Sequence, residues 1–291
     1  MVNKIIFRFF LFCCVFVFKL SVTAQIISTI AGNGTTSYTG NNVPATAIGI
    51  ATAVINVDSQ GNVYSVSYNY GIQKVSAAGI ITTVAGNGTT SYSGDGGPAT
   101  AAGIFSQGVA ADNSGNFFIG DGINNRVRKV NAAGIITTIC GTGAGGHSGD
   151  GGMSTLAVIR SPATMVMDTA GNLFFADSIF IQKISTSGII TTIAGNGIGG
   201  FTGDGGPATN AEITGVDELA VDRSGNVYMD DGTHYRVRKI NNAGIISTIA
   251  GTGTWGYSGD GGPATEAVMC DMDGVYCFSK AKKLILFYPY E

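Results

Sequence analysis

Residues 108–139 read GVAADNSGNFFIGDGINNRVRKVNAAGIITTI. Gly108 to Asp112 predicts a short strand, and Asn113-Ser114-Gly115-Asn116 a tight turn in which the Asp112 carboxylate bonds its own backbone. Phe117-Phe118-Ile119 predicts a second strand and Arg126 to Val130 a third. Ala132-Ala133-Gly134 is a further turn, and Ile135 to Ile139 a fourth strand rich in β-branched residues. Four short antiparallel strands make one small sheet.

The same pattern returns along the chain. Ile/Val-Ala-Gly-Asn/Thr-Gly begins at Ile30, Val84, Ile139 (with Cys140 for alanine), Ile193 and Ile249, at spacings of 54, 55, 54 and 56. Gly-Asn before an apolar or aromatic run falls at Gly61, Gly115, Gly171 and Gly225, and Ile/Val-Gln/Arg-Lys-Ile/Val at Ile72, Val127, Ile181 and Val237. Because the landmarks keep step, the unit is a structural repeat. A four-stranded unit of this length implies an all-β fold, a β-propeller of four-stranded antiparallel blades stacked around an axis. Full units span about 50–85, 104–140, 159–194 and 213–250.

Glycine supplies 45 of the 291 residues, charged residues only 12% and hydrophobic residues 44%. This is folded rather than disordered composition, and the glycines lack the period of three that collagen needs. Many fall in a loop, Ser93-Gly94-Asp95-Gly96-Gly97-Pro98-Ala99-Thr100, which recurs from Ser148, Thr202 and Ser258. It joins the outermost strand of one blade to the innermost strand of the next. The first copy, Gly40 to Pro44, has lost the Asp-Gly-Gly core, and the third has Met153-Ser154 in place of Pro-Ala.

Residues 1–24 read as an export signal, with Lys4 and Arg8 ahead of an apolar Phe9 to Phe18 and small residues at Val22-Thr23-Ala24. Ten apolar residues are about half of a membrane span, so no span is expected after cleavage. Cleavage removes three positive charges and no negative ones, taking the net charge from −3 to −6. A nucleic-acid partner, which calls for a basic face, is not expected. The expected location is secreted or cell-surface, the periplasm included. Cys140, Cys270 and Cys277 remain after cleavage, too few and too irregular for a disulfide framework, with a Cys270–Cys277 pair left open.

These units resemble NHL repeats, in the variety carrying a Gly-Asp-Gly-Gly-Pro-Ala loop and found in secreted bacterial proteins. Asp112 to Val130 and Asp222 to Ile240 carry the pattern best, and the resemblance covers about residues 26–277. It implies a propeller, often six-bladed, serving as a binding platform and in some members as an enzyme. Closure leaves two readings. Ile26 to Ile30 is an isolated fourth strand, and Val275 to Phe278 with Leu284 to Tyr288 supply a first and second, giving five blades with a composite closing blade over 26–30 and 274–288. Alternatively the chain is a truncated piece of a six-bladed ring, as the abrupt loss of pattern after Ala267 suggests.

Strand connectivity puts the short turns on one face and the long loops on the other, together with the second-to-third-strand loops (Asp121 to Asn125, Asp231 to Tyr235). Long loops carry function more often than tight turns. The candidate ligand-binding residues are therefore an acidic ring, Asp95, Asp150, Asp204 and Asp260, an aromatic ring, Tyr92, His147, Phe201 and Tyr257, and His234. Repetition argues for a second role at these positions, the carboxylates capping backbone N–H groups and the rings packing between blades. His147, His234, Asp217 and Glu218 break the repeat and are the polar residues to follow. No catalytic motif is present, and neither a metal nor a cofactor is expected. Calcium is the nearest suggestion, since Asp271-Met272-Asp273-Gly274 opens like a calcium loop, but the later ligands do not follow. The expected function is a non-catalytic scaffold for a protein or glycan, the alternative a propeller lyase or hydrolase with a divalent metal in the central channel.

Overall fold

A computed structural model of the chain describes residues 28–38, 40–50, 54–67 and 71–270, together with the backbone of two further strands, 274–278 and 283–287. The first blade comprises β1 (Val43–Pro44), β2 (Val54–Val57), β3 (Val63–Ser67), β4 (Gly71–Val75) and β5 (Ile80–Ala85), in the order β1-β5-β4-β3-β2. The second holds β6 (Ser106–Ala111), β7 (Phe117–Asp121), β8 (Arg126–Val130) and β9 (Ile136–Cys140). The third holds β10 (Pro162–Met167), β11 (Leu173–Asp177), β12 (Phe180–Ile184) and β13 (Ile190–Ala194), and the fourth β14 (Leu219–Val221), β15 (Val227–Asp231), β16 (Arg236–Ile240) and β17 (Ile246–Ala250). The second, third and fourth blades are antiparallel meanders in chain order, as is the first from β2 to β5. β18 (Gly274–Phe278) and β19 (Lys283–Phe287) form a hairpin. Ser28–Ile30, within the expected 26–30 strand, carry no strand pairing. The export signal, Ile26, Ile27, the Asp271-Met272-Asp273 segment and the Cys277 side chain lie outside the described residues.

The turns form for the reason the sequence suggests. Asp112 Oδ1 accepts the N–H groups of Ser114 and Asn116 while its Oδ2 accepts Asn116 Nδ2, and Gly115 takes φ +82°. Asp58, Asp168 and Asp222 repeat the clamp. Among the described residues thirty glycines have positive φ, which accounts for the glycine excess. In every blade the pairing of the third with the fourth strand slips at one point, as between Val127 and Arg128.

The apolar core lies between blades. Val66, Ile72 and Ala85 of the first blade pack with Val109, Ile119 and Ile136 of the second. Similar layers join the second blade to the third and the third to the fourth. The long loops contribute to them: after Pro98, Met153 and Pro207 a single 3-10 turn delivers small side chains and an isoleucine into the layer, Ala99, Ala102 and Ile104 in one copy and Ala208, Ala211 and Ile213 in another. Only glycine allows the loop to turn there, because a Cβ on Gly203 would lie 2.7 Å from Ala211 Cα. The loops also differ from simple face loops. Pro98, Met153 and Pro207 each form a β-bridge to the strand segment outside the next blade (Ile135, Ile189, Ile245), so each loop adds an edge to the following sheet, as β1 does in the first blade.

Candidate functional site

The loops meet the second-to-third-strand turns on one face. Asn124 accepts Tyr92 N–H and donates to Thr90 O, and Arg126 Nη2 donates to Thr142 O in the next loop. The turn of the second blade is thus held by the loop before it and the loop after it.

Within this frame the acidic ring is divided. Arg128 is fully buried and donates from Nε (3.1 Å) and Nη2 (2.7 Å) to Asp95 Oδ1, and from Nη1 to Asp121 Oδ2 (3.1 Å). Asp95 Oδ2 accepts Thr138 N–H and the Tyr92 hydroxyl. Burial alone would raise the Asp95 pKa, but the Thr138 bond and the Arg128 charge outweigh it and hold the carboxyl below its usual range. Asp204 is bound likewise by Arg238 and Thr248 N–H. Asp150 accepts Thr192 N–H, with Gln182 standing where the second and fourth blades have arginine. Asp260 receives the Tyr257 hydroxyl at 2.8 Å.

The aromatic ring follows the same division. Tyr92 covers the Arg126 guanidinium at 3.8 Å and Phe201 covers Arg236 at 4.2 Å. His147 stacks on Phe180, centroids 3.6 Å apart and planes 8° off parallel. Gln182 Nε2 lies 3.2 Å from His147 Nδ1, so Nδ1 is the acceptor and Nε2 carries the proton toward Thr192 Oγ1. Burial lowers the His147 pKa, in keeping with a neutral ring. Tyr257 is the exception, 74% exposed. His234 Nδ1 lies 2.6 Å from the buried Asp231 Oδ1, and its ring sits 5.0 Å from Phe201. Phe201, Asp204, Arg236, Thr248 and Thr252 line a cleft of about 480 Å³ beside them.

A second group lies on the inner side of the third and fourth blades. Glu218 Oε1 accepts the Thr164 hydroxyl from β10, and Asp230 Oδ1 accepts the N–H groups of Asp217 and Glu218. Asp230 Oδ2 has no partner among the described residues. Burial pushes Glu218 up to about 7 and Asp230 up to about 8, and Asp177 in the third blade up to about 7. These groups hold protons near neutrality. Glu218 and Asp217 break the repeat in sequence, whereas Asp230 escapes a reading by motif; it stands where the second and third blades have Gly120 and Ala176, and that substitution is its only signal. Among the described residues no three His, Cys, Asp or Glu side chains stand as a metal-holding group. Cys140 and Cys270 are free thiols, and burial pushes Cys140 up to about 12. A cleft of about 610 Å³ opens on the short-turn face between the second and third blades, lined by Asp112, Ser114, Lys129, Met167, Asp168 and Ser185. No motif within a single repeat marks it.

The family described as the teneurin NHL domain matches residues 140–198 and 200–275. Human (Homo sapiens) Teneurin-4 is 25% identical over 160 residues, which is 50% of this chain and 6% of that protein. The chain spans 2 to 6% of the length of the curated relatives it matches. Among solved structures, an auxiliary nutrient binding protein from Bacteroides ovatus ATCC 8483 superposes with a TM-score of 0.59 at 15% identity, covering 81% of this chain and 56% of that one. A chain of a nidogen/laminin complex gives 0.53 at 16% identity, covering 81% and 71%. No described helix is long and apolar enough to cross a membrane. Repeat register, blade architecture and these matches agree: the described blades form a β-propeller fold, and its repeats over residues 140–198 and 200–275 are of the NHL type.

Proposed function

We propose that the chain is a non-catalytic binding scaffold, secreted or held at the cell surface, that engages a protein or glycan through its long-loop face. The observation that carries this reading is the concentration of exposed large apolar side chains there: Tyr92, Ile123, Ile198, Phe201, Trp255 and Tyr257. Folding alone gives no reason to leave Ile123, Ile198 and Trp255 in water on these loops, and aromatic and aliphatic anchors beside arginines are the composition of a recognition surface. The similar solved structures, an auxiliary nutrient binding protein and a chain of a nidogen/laminin complex, are in keeping with it. Protein is the favoured ligand, since Ile123 and Ile198 offer aliphatic surface that sugars use less well than aromatic rings. The carboxylates of the long-loop ring act in this reading as scaffold, with Asp95 and Asp204 tied to arginine, and neither calcium nor another cofactor takes part.

The alternative, a lyase or hydrolase with a channel metal, draws its support from the inner carboxyls Glu218 and Asp230. Two measurements separate them. Capture from a panel of extracellular proteins and a glycan array should give a ligand whose binding falls at least about tenfold, roughly 1.4 kcal/mol, in an Ile198→Ser/Phe201→Ser variant. A stoichiometric divalent ion in the purified protein, lost with Glu218→Gln, would overturn the scaffold reading.

A further inference from the structure

Equivalent aspartates open the short turns of the four blades, and what their Oδ2 atoms accept differs from blade to blade. Asp58 Oδ2 accepts Asn62 Nδ2 at 2.7 Å and the Tyr64 hydroxyl at 3.3 Å, and Asp222 Oδ2 accepts Asn226 Nδ2 at 2.7 Å and the Tyr228 hydroxyl at 3.0 Å. The second and third blades have phenylalanine at the tyrosine position, Phe118 and Phe174. Asp112 Oδ2 and Asp168 Oδ2 therefore keep only the amide of Asn116 or Asn172, each at 2.6 Å. The rings hold the same place under the third-strand lysine: Lys74 Nζ lies 5.4 Å from the Tyr64 centroid, and Lys129 Nζ 5.6 Å from that of Phe118. What the exchange removes is one hydroxyl donor beside the carboxylate. Asp58 is buried together with its tyrosine, whereas Asp112 and Asp168 are partly exposed and within reach of a donor from outside.

Both of these acids line the cleft of about 610 Å³ on the short-turn face, whose walls belong wholly to the second and third blades and the loop between them. Its size falls among small-molecule sites. Phe118, Ile139 and Met167 supply apolar surface, and Asp112, Asp168 and Lys129 supply charge. That charge pattern selects the ligand. An anion would meet two carboxylates. A cation would meet the Lys129 ammonium, and the carboxylates that would draw it are already committed to four main-chain N–H groups and two amides. A neutral molecule whose hydroxyls donate to an acid and accept from the ammonium, and whose C–H face covers the apolar surface, suits all of them. Those are the properties of a sugar.

We infer that this cleft binds a neutral saccharide, one hydroxyl of which donates to Asp112 Oδ2 as Tyr64 and Tyr228 donate to their aspartates in the first and fourth blades. Lys129 donates to a second oxygen of the sugar, and Ile139 and Met167 pack against its C–H face. The site lies opposite the long loops and is separate from the ligand-binding face proposed above.

The first and fourth blades supply the variant that tests it. Phe118→Tyr installs a hydroxyl that those blades already carry under a lysine, so the protein should melt like the native chain while Asp112 gains the donor that the sugar would provide. The full chain is titrated by calorimetry or ligand-observed NMR with glucose, galactose, mannose, N-acetylglucosamine and their disaccharides. At least one should bind with a Kd of about 10 mM or tighter, weakened at least about tenfold by Phe118→Tyr and likewise by Lys129→Met. The Ile198→Ser/Phe201→Ser variant should bind that sugar as the native chain does. The inference is overturned if none of these sugars binds, or if binding survives Phe118→Tyr and Lys129→Met intact. Loss of sugar binding in the long-loop variant instead would place the sugar on the other face, and tighter binding of glucuronate or glucosamine than of every neutral sugar would refute the neutral ligand.

Discussion

Arg128, Gln182 and Arg238 occupy one position in successive blades, and what each faces sets the charge state of its surroundings. Where arginine is present its carboxylate partners are held by ion pairs and hydrogen bonds. Where glutamine replaces it, Asp177 loses a cation, and its Oδ2 has only His147 Nδ1, an acceptor, at 3.7 Å. Burial then raises Asp177 to about 7, as it raises Glu218 to about 7 and Asp230 to about 8. Unfolded, these acids titrate near 4, so between about pH 4 and 8 the folded chain binds more protons than the unfolded one. Their contribution to stability is full below the lower value and is lost as pH rises through the upper. Asp95 and Asp204, held low, act oppositely and only in stronger acid. The melting temperature should therefore fall steadily from about pH 5 to about pH 8.5, and the triple variant Asp177→Asn/Glu218→Gln/Asp230→Asn, which fixes the neutral form, should flatten that slope. Parallel pH profiles for variant and native chain would show that these groups do not hold the protons assigned to them.

At the scale of the element, legibility follows distance along the chain. The Asp112 clamp closes over four residues, so the Asp-x-x-Gly-Asn string states its own geometry, and the strands beside it fall within a residue or two of their sequence-derived limits. The Asp95–Arg128 pair spans 33 residues and two blades, and no local pattern announces it. The same holds for Glu218 and Thr164, 54 residues apart. The edge-strand role of the long loops is hidden because glycine and proline read as loop, whereas it depends on one or two bridging residues finding the next blade. The 3-10 turn after each loop is another case: its alanines look like spacing, yet Ala211 is a fully buried plug between the third and fourth blades. Ala211→Leu should overpack that layer and cost about 1–3 kcal/mol in denaturant unfolding. Ala267→Leu, the same change at the half-buried position before the terminal hairpin, should cost clearly less. Equal costs at the two sites would mean that the blade layers do not govern the effect.

On the scale of the whole molecule, stacking makes the propeller nearly one-dimensional, each blade stabilised by its neighbours through an inter-blade layer. Inner strands succeed one another, β2 against β6, β6 against β10, β10 against β14 and β14 against β18. The layers between the first and second, second and third, and third and fourth blades each bury a run of isoleucine, valine or phenylalanine. The second and third blades are each held between two such layers, so opening should begin outside them and spread inward. Hydrogen exchange should reveal a gradient, with the amides of β8 and β12 slowest, those of β16 intermediate and those of β18 fastest. Uniform protection across the blades would show instead that the propeller unfolds as one unit.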